Sequence, residues 1–122
     1  MILVDTSVWV DYLRKGDPSL SEYLERFEVS MHPFVRGELA LGTLRERDVI
    51  LASLAALPSV PVADEHEVLG FIARGHLWGR GVGYVDAHLL AAVHLSPGTR
   101  LWTRDKRLRL IAHEQGVAAP IN

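Results

Sequence analysis

Two hydrophobic patterns alternate along the chain, and together they predict alternating strands and helices. Short unbroken apolar runs, of which Ile2-Leu3-Val4 is the clearest, are typical of strands buried on both faces of a parallel sheet. Longer segments carry apolar residues every three or four positions, as amphipathic helices do. Strands are predicted at residues 2–4, 28–31, 59–62, 100–103 and 117–120. Helices are predicted from Thr6, Asp17 and Asp64, and over residues 33–43, 45–57, 84–95 and 106–115.

This order of elements predicts a single α/β domain over residues 1–122, with a mainly parallel sheet of four to five strands flanked by helices. Pro61 places the strand at 59–62 on an edge of the sheet, because proline has no backbone N–H to donate. A chain of 122 residues with 48% hydrophobic content is long enough to bury one core. Asp64 and Glu67 match a capping box at the start of their helix, a structural role.

Composition excludes several kinds of site. The chain has no cysteine, which excludes disulfides, thiolate zinc sites and cysteine nucleophiles. Its six histidines include no pair four residues apart, which argues against a histidine metal site. A net charge of −2 gives no overall basic field, so nucleic-acid binding would need a local patch. No stretch approaches the roughly 20 apolar residues of a membrane span, and we expect a cytoplasmic protein.

Four carboxylates are placed where they could meet. Asp5 and Asp105 each follow a strand, and the carboxyl ends of parallel strands share one rim, where α/β folds bind ligands. Asp86 lies in the first turn of a helix that leaves that rim. Glu38 lies on the apolar side of helix 33–43, either facing the core or reaching solvent from the edge of the stripe. Each also has a structural explanation, because Asp caps helices and the helix dipole stabilises an acid in the first turn.

A cluster of these four acids would need a cation, because their mutual repulsion would otherwise destabilise the site. Oxygen ligands without cysteine favour hard cations such as Mg²⁺ or Mn²⁺. Such an ion activates water and neutralises charge on a phosphodiester under attack. The acids therefore point to hydrolysis of a phosphate ester.

Four segments resemble, in order and spacing, the motifs of PIN-domain ribonucleases. They are Ile2-Leu3-Val4-Asp5-Thr6-Ser7, Glu38-Leu39 with Gly42, Asp86-Ala87 before Ala91-Ala92, and Leu101-Trp102-Thr103-Arg104-Asp105. The length and the Asp-Thr-Ser-Val-Trp opening most resemble the VapC-type toxins of toxin–antitoxin pairs. One departure is His32-Pro33, where the family more often begins this helix with a small hydroxyl residue.

The resemblance implies a Mg²⁺- or Mn²⁺-dependent endoribonuclease whose catalytic and metal-binding acids are Asp5, Glu38, Asp86 and Asp105. Asp5 and Asp86 would make the main metal contacts, Glu38 would complete the metal shell or orient the attacking water, and Asp105 would support it. The family further implies a cognate antitoxin that blocks the site, a homodimer, and transfer or ribosomal RNA as the target.

Substrate-positioning residues are expected beside these acids. Thr6, Ser7 and Thr103 match family positions that hold backbone or phosphate near the metal. Arg104 and Lys106 either hold RNA phosphates or belong to a solvated helix face. Trp78 and Tyr84, on either side of the glycine-rich loop 79–83, could stack on a base, although core or dimer packing is the more common role of such residues.

Other functions fit less well. A phospho-receiver domain needs a second acid beside Asp5, where Thr6 stands, and an Asp after the middle strand, where Ala63 stands. A phosphatase with an aspartate nucleophile needs an acid at position 7, which is Ser7. The remaining alternative is a catalytically silent PIN-like module that binds RNA or protein.

Overall fold

A computed structural model describes residues 1–121; Asn122, the last residue of the predicted domain, lies outside them. Strands β1 (Ile2–Val4), β2 (Val29–Ser30) and β3 (Arg100–Trp102) form a parallel sheet in the order β2-β1-β3. Helices surround it, as predicted. Within residues 1–121 they are α1 (Thr6–Lys15), α2 (Pro18–Glu25), α3 (Pro33–Ala40), α4 (Arg47–Ala55), α5 (Glu65–Arg74), α6 (Tyr84–His94) and α7 (Lys106–Glu114).

The sheet has three regular strands in the described residues, fewer than the four to five predicted. The segments at 59–62 and 117–120 each contribute only one parallel bridge, Met31 with Ser59 and Leu101 with Ala118. One pair of backbone hydrogen bonds forms each bridge: Met31 donates to Pro58 and accepts from Val60 in the first, and Leu101 donates to Val117 and accepts from Ala119 in the second. The two segments therefore flank the sheet without extending it, and the parallel α/β architecture is as predicted.

The core is built on β1, whose three residues are all buried, as expected for a central strand covered on both faces. Trp9 and Trp102 pack beside it and are almost fully buried. Helix α6 differs from the prediction of one apolar stripe, because residues 87–93 are buried on every side. It packs between β3 and α5, and a helix that is buried on all sides has apolar residues on all sides.

Helix boundaries follow local capping chemistry. Asp17 caps α2 by accepting from the backbone N–H of Leu20, and Asp64 and Glu67 form the predicted capping box of α5. Helices α3 and α4 are shorter than predicted, and the segment between them ends at Glu46 in a left-handed conformation with φ of 48°. None of the helices in residues 1–121 combines the length and apolar character that crossing a bilayer requires.

Candidate active site

Asp5 follows β1 directly and is buried, with 7% of its surface exposed. Its Oδ1 accepts a hydrogen bond from the backbone N–H of Thr6 at 2.8 Å, which makes it the N-cap of α1. Its Oδ2 accepts from Ser7 Oγ at 2.9 Å and from Thr103 Oγ1 at 2.7 Å. Three donors therefore fix this carboxylate and offset part of the cost of burying its charge. Asp5 is therefore both the N-cap of α1 and a rigidly held carboxylate at the rim.

Ser7 and Thr103 join the two strand ends that carry Asp5 and Asp105. Ser7 Oγ accepts from the backbone N–H of Arg104 at 3.1 Å, and Thr103 Oγ1 accepts from the backbone N–H of Asp105 at 3.1 Å. Each hydroxyl thus accepts from one segment and donates to Asp5. In this structure they orient a carboxylate, and their contact with a substrate remains a prediction.

Glu38 reaches solvent from the edge of α3, the second of the two alternatives left open by the sequence. Its Oε1 accepts a hydrogen bond from Thr6 Oγ1 at 2.7 Å. This bond links α3 to the first residue of α1, next to Asp5. Glu38 is therefore an exposed carboxylate held over the same rim.

Asp86 is partly buried in the first turn of α6, where its Oδ2 accepts from the backbone N–H of Gly83 at 2.9 Å. Burial raises its pKa, and the negative charges of three other carboxylates raise the pKa further, while the bond from Gly83 acts in the opposite direction. Those carboxylates are Asp5, Asp105 and Glu38. All four predicted acids therefore share one electrostatic environment, centred on Asp86; we call them the four site carboxylates.

Asp105 is exposed and caps α7 by accepting from the backbone N–H of Leu108 at 3.0 Å. It lies at the carboxyl end of β3 as predicted, and its negative charge contributes to the raised pKa of Asp86. Its cap leaves the second oxygen, Oδ2, available for solvent or a ligand.

The four site carboxylates form an open site rather than a closed metal cage. Within residues 1–121, no three Asp, Glu or His side chains are arranged so that they could hold a metal ion by themselves. Mg²⁺ fits this geometry, because it usually keeps several waters and takes only one or two protein carboxylates together with substrate phosphate. Burial, and then the negative charge of the other three carboxylates, raises the pKa of Asp86, and a bound cation would neutralise that charge.

Of the two basic residues predicted beside the acids, one is paired with carboxylates and the other is exposed. The Arg104 guanidinium pairs with Asp11 of α1 at 2.6 Å and with Asp17 at the cap of α2, and it lies over the Trp102 ring. Lys106 is exposed at the start of α7. The sequence reasoning missed the pairing of Arg104, which no local spacing reveals. The substrate-positioning roles of Arg104 and Lys106 stay predictions.

Sequence reasoning also missed a contact between α3 and α6. The rings of Phe34 and Tyr84 each pack edge-on against His88, with ring centroids 4.6 Å apart in both pairs. The spacing of Tyr84 and His88, four residues apart on one helix face, was the available signal. Phe34 gave none, because it meets them only through the tertiary fold.

Residues 2–114 match the family described as PIN domain. The chain therefore belongs to the PIN-domain family, as the four motifs predicted. Ribonuclease VapC32 from two strains of Mycobacterium tuberculosis, CDC 1551 / Oshkosh and ATCC 25618 / H37Rv, is 54% identical to it over 118 residues, covering 97% of this chain and 95% of the relative. This similarity places the chain with the VapC-type members of the family.

Two solved structures share the fold. FitAcB from Neisseria gonorrhoeae superposes with a TM-score of 0.64 at 20% identity, covering 97% of this chain and 95% of that chain. FitAB bound to an IR36 DNA fragment gives a TM-score of 0.62 at 21% identity, covering 97% and 92%. At these identities the likeness concerns the fold alone.

Proposed function

We propose that this chain is a metal-dependent endoribonuclease, the toxin of a toxin–antitoxin pair, which hydrolyses phosphodiester bonds in RNA. The observation that carries the proposal is that the charges of the other three site carboxylates act on Asp86, within a chain whose residues 2–114 match the PIN domain. The extent of the similarity to a protein named Ribonuclease VapC32 supports the choice of substrate.

Asp5 and Asp86 would hold a Mg²⁺ or Mn²⁺ ion, which supplies charge neutralisation at the scissile phosphate and lowers the pKa of water. Asp5 is suited to this because its hydrogen bonds are already formed and it needs no reorganisation. Ser7 and Thr103 keep it in place and act as positioning residues.

Glu38 orients the attacking water and accepts its proton. It is exposed, hydrogen-bonded through one oxygen to Thr6, and free to direct the other oxygen, Oε2, into the open site. The water oxygen bonds to phosphorus as the bond from phosphorus to the leaving oxygen breaks, and the leaving oxygen takes a proton from solvent in the open site. Asp105, at the carboxyl end of the neighbouring strand β3, would help to hold the ion.

The proposed partners are those that the resemblance to VapC-type toxins implies. We propose a cognate antitoxin that covers the acids, a homodimer, and transfer or ribosomal RNA as the target. The similarity to Ribonuclease VapC32, a VapC-type toxin, supports a partner protein. The alternative, a silent RNA- or protein-binding module, has intact acids without turnover.

The test incubates total cellular RNA with the purified chain in Mg²⁺, Mn²⁺ or EDTA, beside the Asp5→Ala and Asp86→Asn variants. We expect discrete fragments from the wild type and none with EDTA or either variant. Asp64→Ala is the matched control, because it also removes a helix-capping aspartate but lies at α5, away from the four site carboxylates. Intact RNA from folded wild type, free of any antitoxin, would favour the silent module.

A further inference from the structure

Three aromatic rings form a continuous strip between the helices that carry Glu38 and Asp86. We call Phe34, His88 and Tyr84 the aromatic cluster. Phe34 also packs against His32, with centroids 4.9 Å apart, so its ring is fixed from two sides. His88 is buried in the centre, whereas Phe34 is 37% and Tyr84 48% exposed. Phe34 and Tyr84 are therefore each held by a ring contact on one side and open to solvent on another.

The cluster lies next to the site on both helices. Phe34 is one turn before Glu38 on α3, at the four-residue spacing that places side chains on the same face. Tyr84 is the first residue of α6 and Asp86 lies in the same first turn, so both stand at the end of the helix that meets the rim, although their side chains leave the helix on different sides. A polynucleotide whose phosphate reaches the four site carboxylates would bring its neighbouring bases within reach of these rings.

The negative charge around the site favours RNA contacts that do not depend on charge, such as stacking of bases on aromatic rings. RNA approaching four carboxylates is repelled, and the arginine that follows β3, Arg104, is already paired with Asp11 and Asp17. Contacts between a base and an aromatic ring add affinity without relying on charge, and they work with any base because every base has a π-face. Such contacts require unpaired bases, because the bases of a duplex are already stacked.

We propose that Phe34 and Tyr84 stack on unpaired RNA bases next to the scissile phosphate and so position the strand at the four site carboxylates. This inference rests on the proposed ribonuclease function and adds two positioning residues to it. His88 holds both rings in place and does not itself meet the RNA, because it is buried.

The experiment measures steady-state cleavage and binding of a short single-stranded RNA of mixed sequence. Phe34→Leu and Tyr84→Leu, each in the full chain, are expected to raise KM roughly fivefold or more with kcat nearly unchanged. Binding is measured by fluorescence anisotropy in an Asp86→Asn background, which prevents turnover. The loss should persist at raised salt, because stacking does not depend on screening, and it should be absent with the same RNA in a duplex.

Two kinds of control separate stacking from folding. Phe34→Tyr and Tyr84→Phe keep the ring and should keep the affinity. Phe27→Leu removes an aromatic side chain that is 87% exposed but precedes β2, at the opposite end of the sheet from the site. It should leave KM unchanged.

The outcomes are distinguishable. Wild-type cleavage with unchanged KM in both leucine variants would overturn the inference and leave the proposed function standing. A change in molecular mass by light scattering, with unchanged RNA affinity, would overturn it in favour of a contact between copies of the chain. Wild type that binds single-stranded RNA through these rings without cleaving any would support the stacking and overturn the proposed catalysis.

Discussion

Asp86 is the site residue at which function and stability are most opposed. Its carboxylate is partly buried and faces the other three site carboxylates, which with burial raise its pKa. Asp86→Asn keeps the acceptor for Gly83 N–H but removes the charge. We expect the metal-free variant to melt a few degrees above wild type, and RNA cleavage to fall by about 100-fold or more.

Calorimetry and the cleavage assay measure these two effects. Asp64→Asn provides the control, because Asp64 caps α5 in an exposed position and its change should neither raise the melting temperature nor reduce cleavage. A lower melting temperature for Asp86→Asn, with cleavage retained, would show that the carboxylate stabilises the fold and has no part in the chemistry.

His32 gives the protein a pH-dependent stability. It is fully buried, caps α3 by accepting from the backbone N–H of Phe34, and its Nε2 has no hydrogen-bond partner within residues 1–121. Burial, with a smaller effect of His88, lowers its pKa to about 4 from 6.5. Between these values the unfolded chain binds the proton and the folded protein does not, so stability is full above pH 6.5 and declines as pH falls towards 4.

The decline attributable to His32 is of the order of 3 kcal/mol across the whole window. Urea denaturation of wild type and His32→Asn at several pH values measures it. Asparagine retains a capping acceptor but does not titrate, so the variant should show a flatter dependence whatever its stability at neutral pH. Parallel pH profiles for the two proteins would rule out His32 as the source.

Arg104 connects three helices. It lies between β3 and α7, and its guanidinium pairs with Asp11 of α1 and with Asp17 at the cap of α2. Arg104→Met and Asp11→Asn should each lower the free energy of unfolding by about 1 kcal/mol, and the double variant should lose less than their sum. A double-mutant cycle by urea denaturation measures this coupling. Additive losses, together with a raised KM for Arg104→Met, would support phosphate binding instead.

The glycine-rich loop sets the position of α6 and therefore of Asp86. Gly81 has φ of +81°, and a Cβ there would lie 2.7 Å from Cδ of Arg107, so Gly81→Ala incurs both backbone strain and a steric clash. Gly79 has φ of +73° with nothing near its Cβ, so Gly79→Ala isolates the strain, about 1 kcal/mol.

We therefore expect Gly81→Ala to be less stable than Gly79→Ala, and Gly81→Ala with Arg107→Ala to recover towards the Gly79→Ala value. Thermal melts of the three variants measure this order, and the cleavage assay shows whether the loop transmits the change to Asp86. Equal melting temperatures for the two single variants would show that Arg107 moves aside without cost.

The elements predicted best were those whose signal lies within a few consecutive residues. β1 was predicted from its apolar run, and α2 and α5 from their capping aspartates. The segments at 59–62 and 117–120 were predicted as strands because their apolar content is strand-like. Whether such a segment forms a ladder depends on how far it runs alongside its neighbour, and each of these forms a single bridge.

At the scale of the whole molecule, the grouping of the acids was predictable because parallel strands end on one rim. That rule alone predicts the positions of Asp5 and Asp105, and the predicted start of one helix adds the position of Asp86. The exposure of Glu38 was not predictable, because it depends on how α3 rests on α1. The pairing of Arg104 and the aromatic cluster were missed for the same reason, since each joins residues far apart in sequence.

The repulsion among the four site carboxylates links metal binding to the stability of the whole fold. A ligand that binds only the folded state stabilises it in proportion to the logarithm of its concentration, by about 2.7 kcal/mol at one hundred times Kd. We expect the wild-type melting temperature to rise with added Mg²⁺ or Mn²⁺, more than with NaCl of equal ionic strength. Asp86→Asn should start from a higher melting temperature and show little further rise, because the substitution has already removed the charge that the cation neutralises. An equal rise in both proteins would place the binding ion away from Asp86.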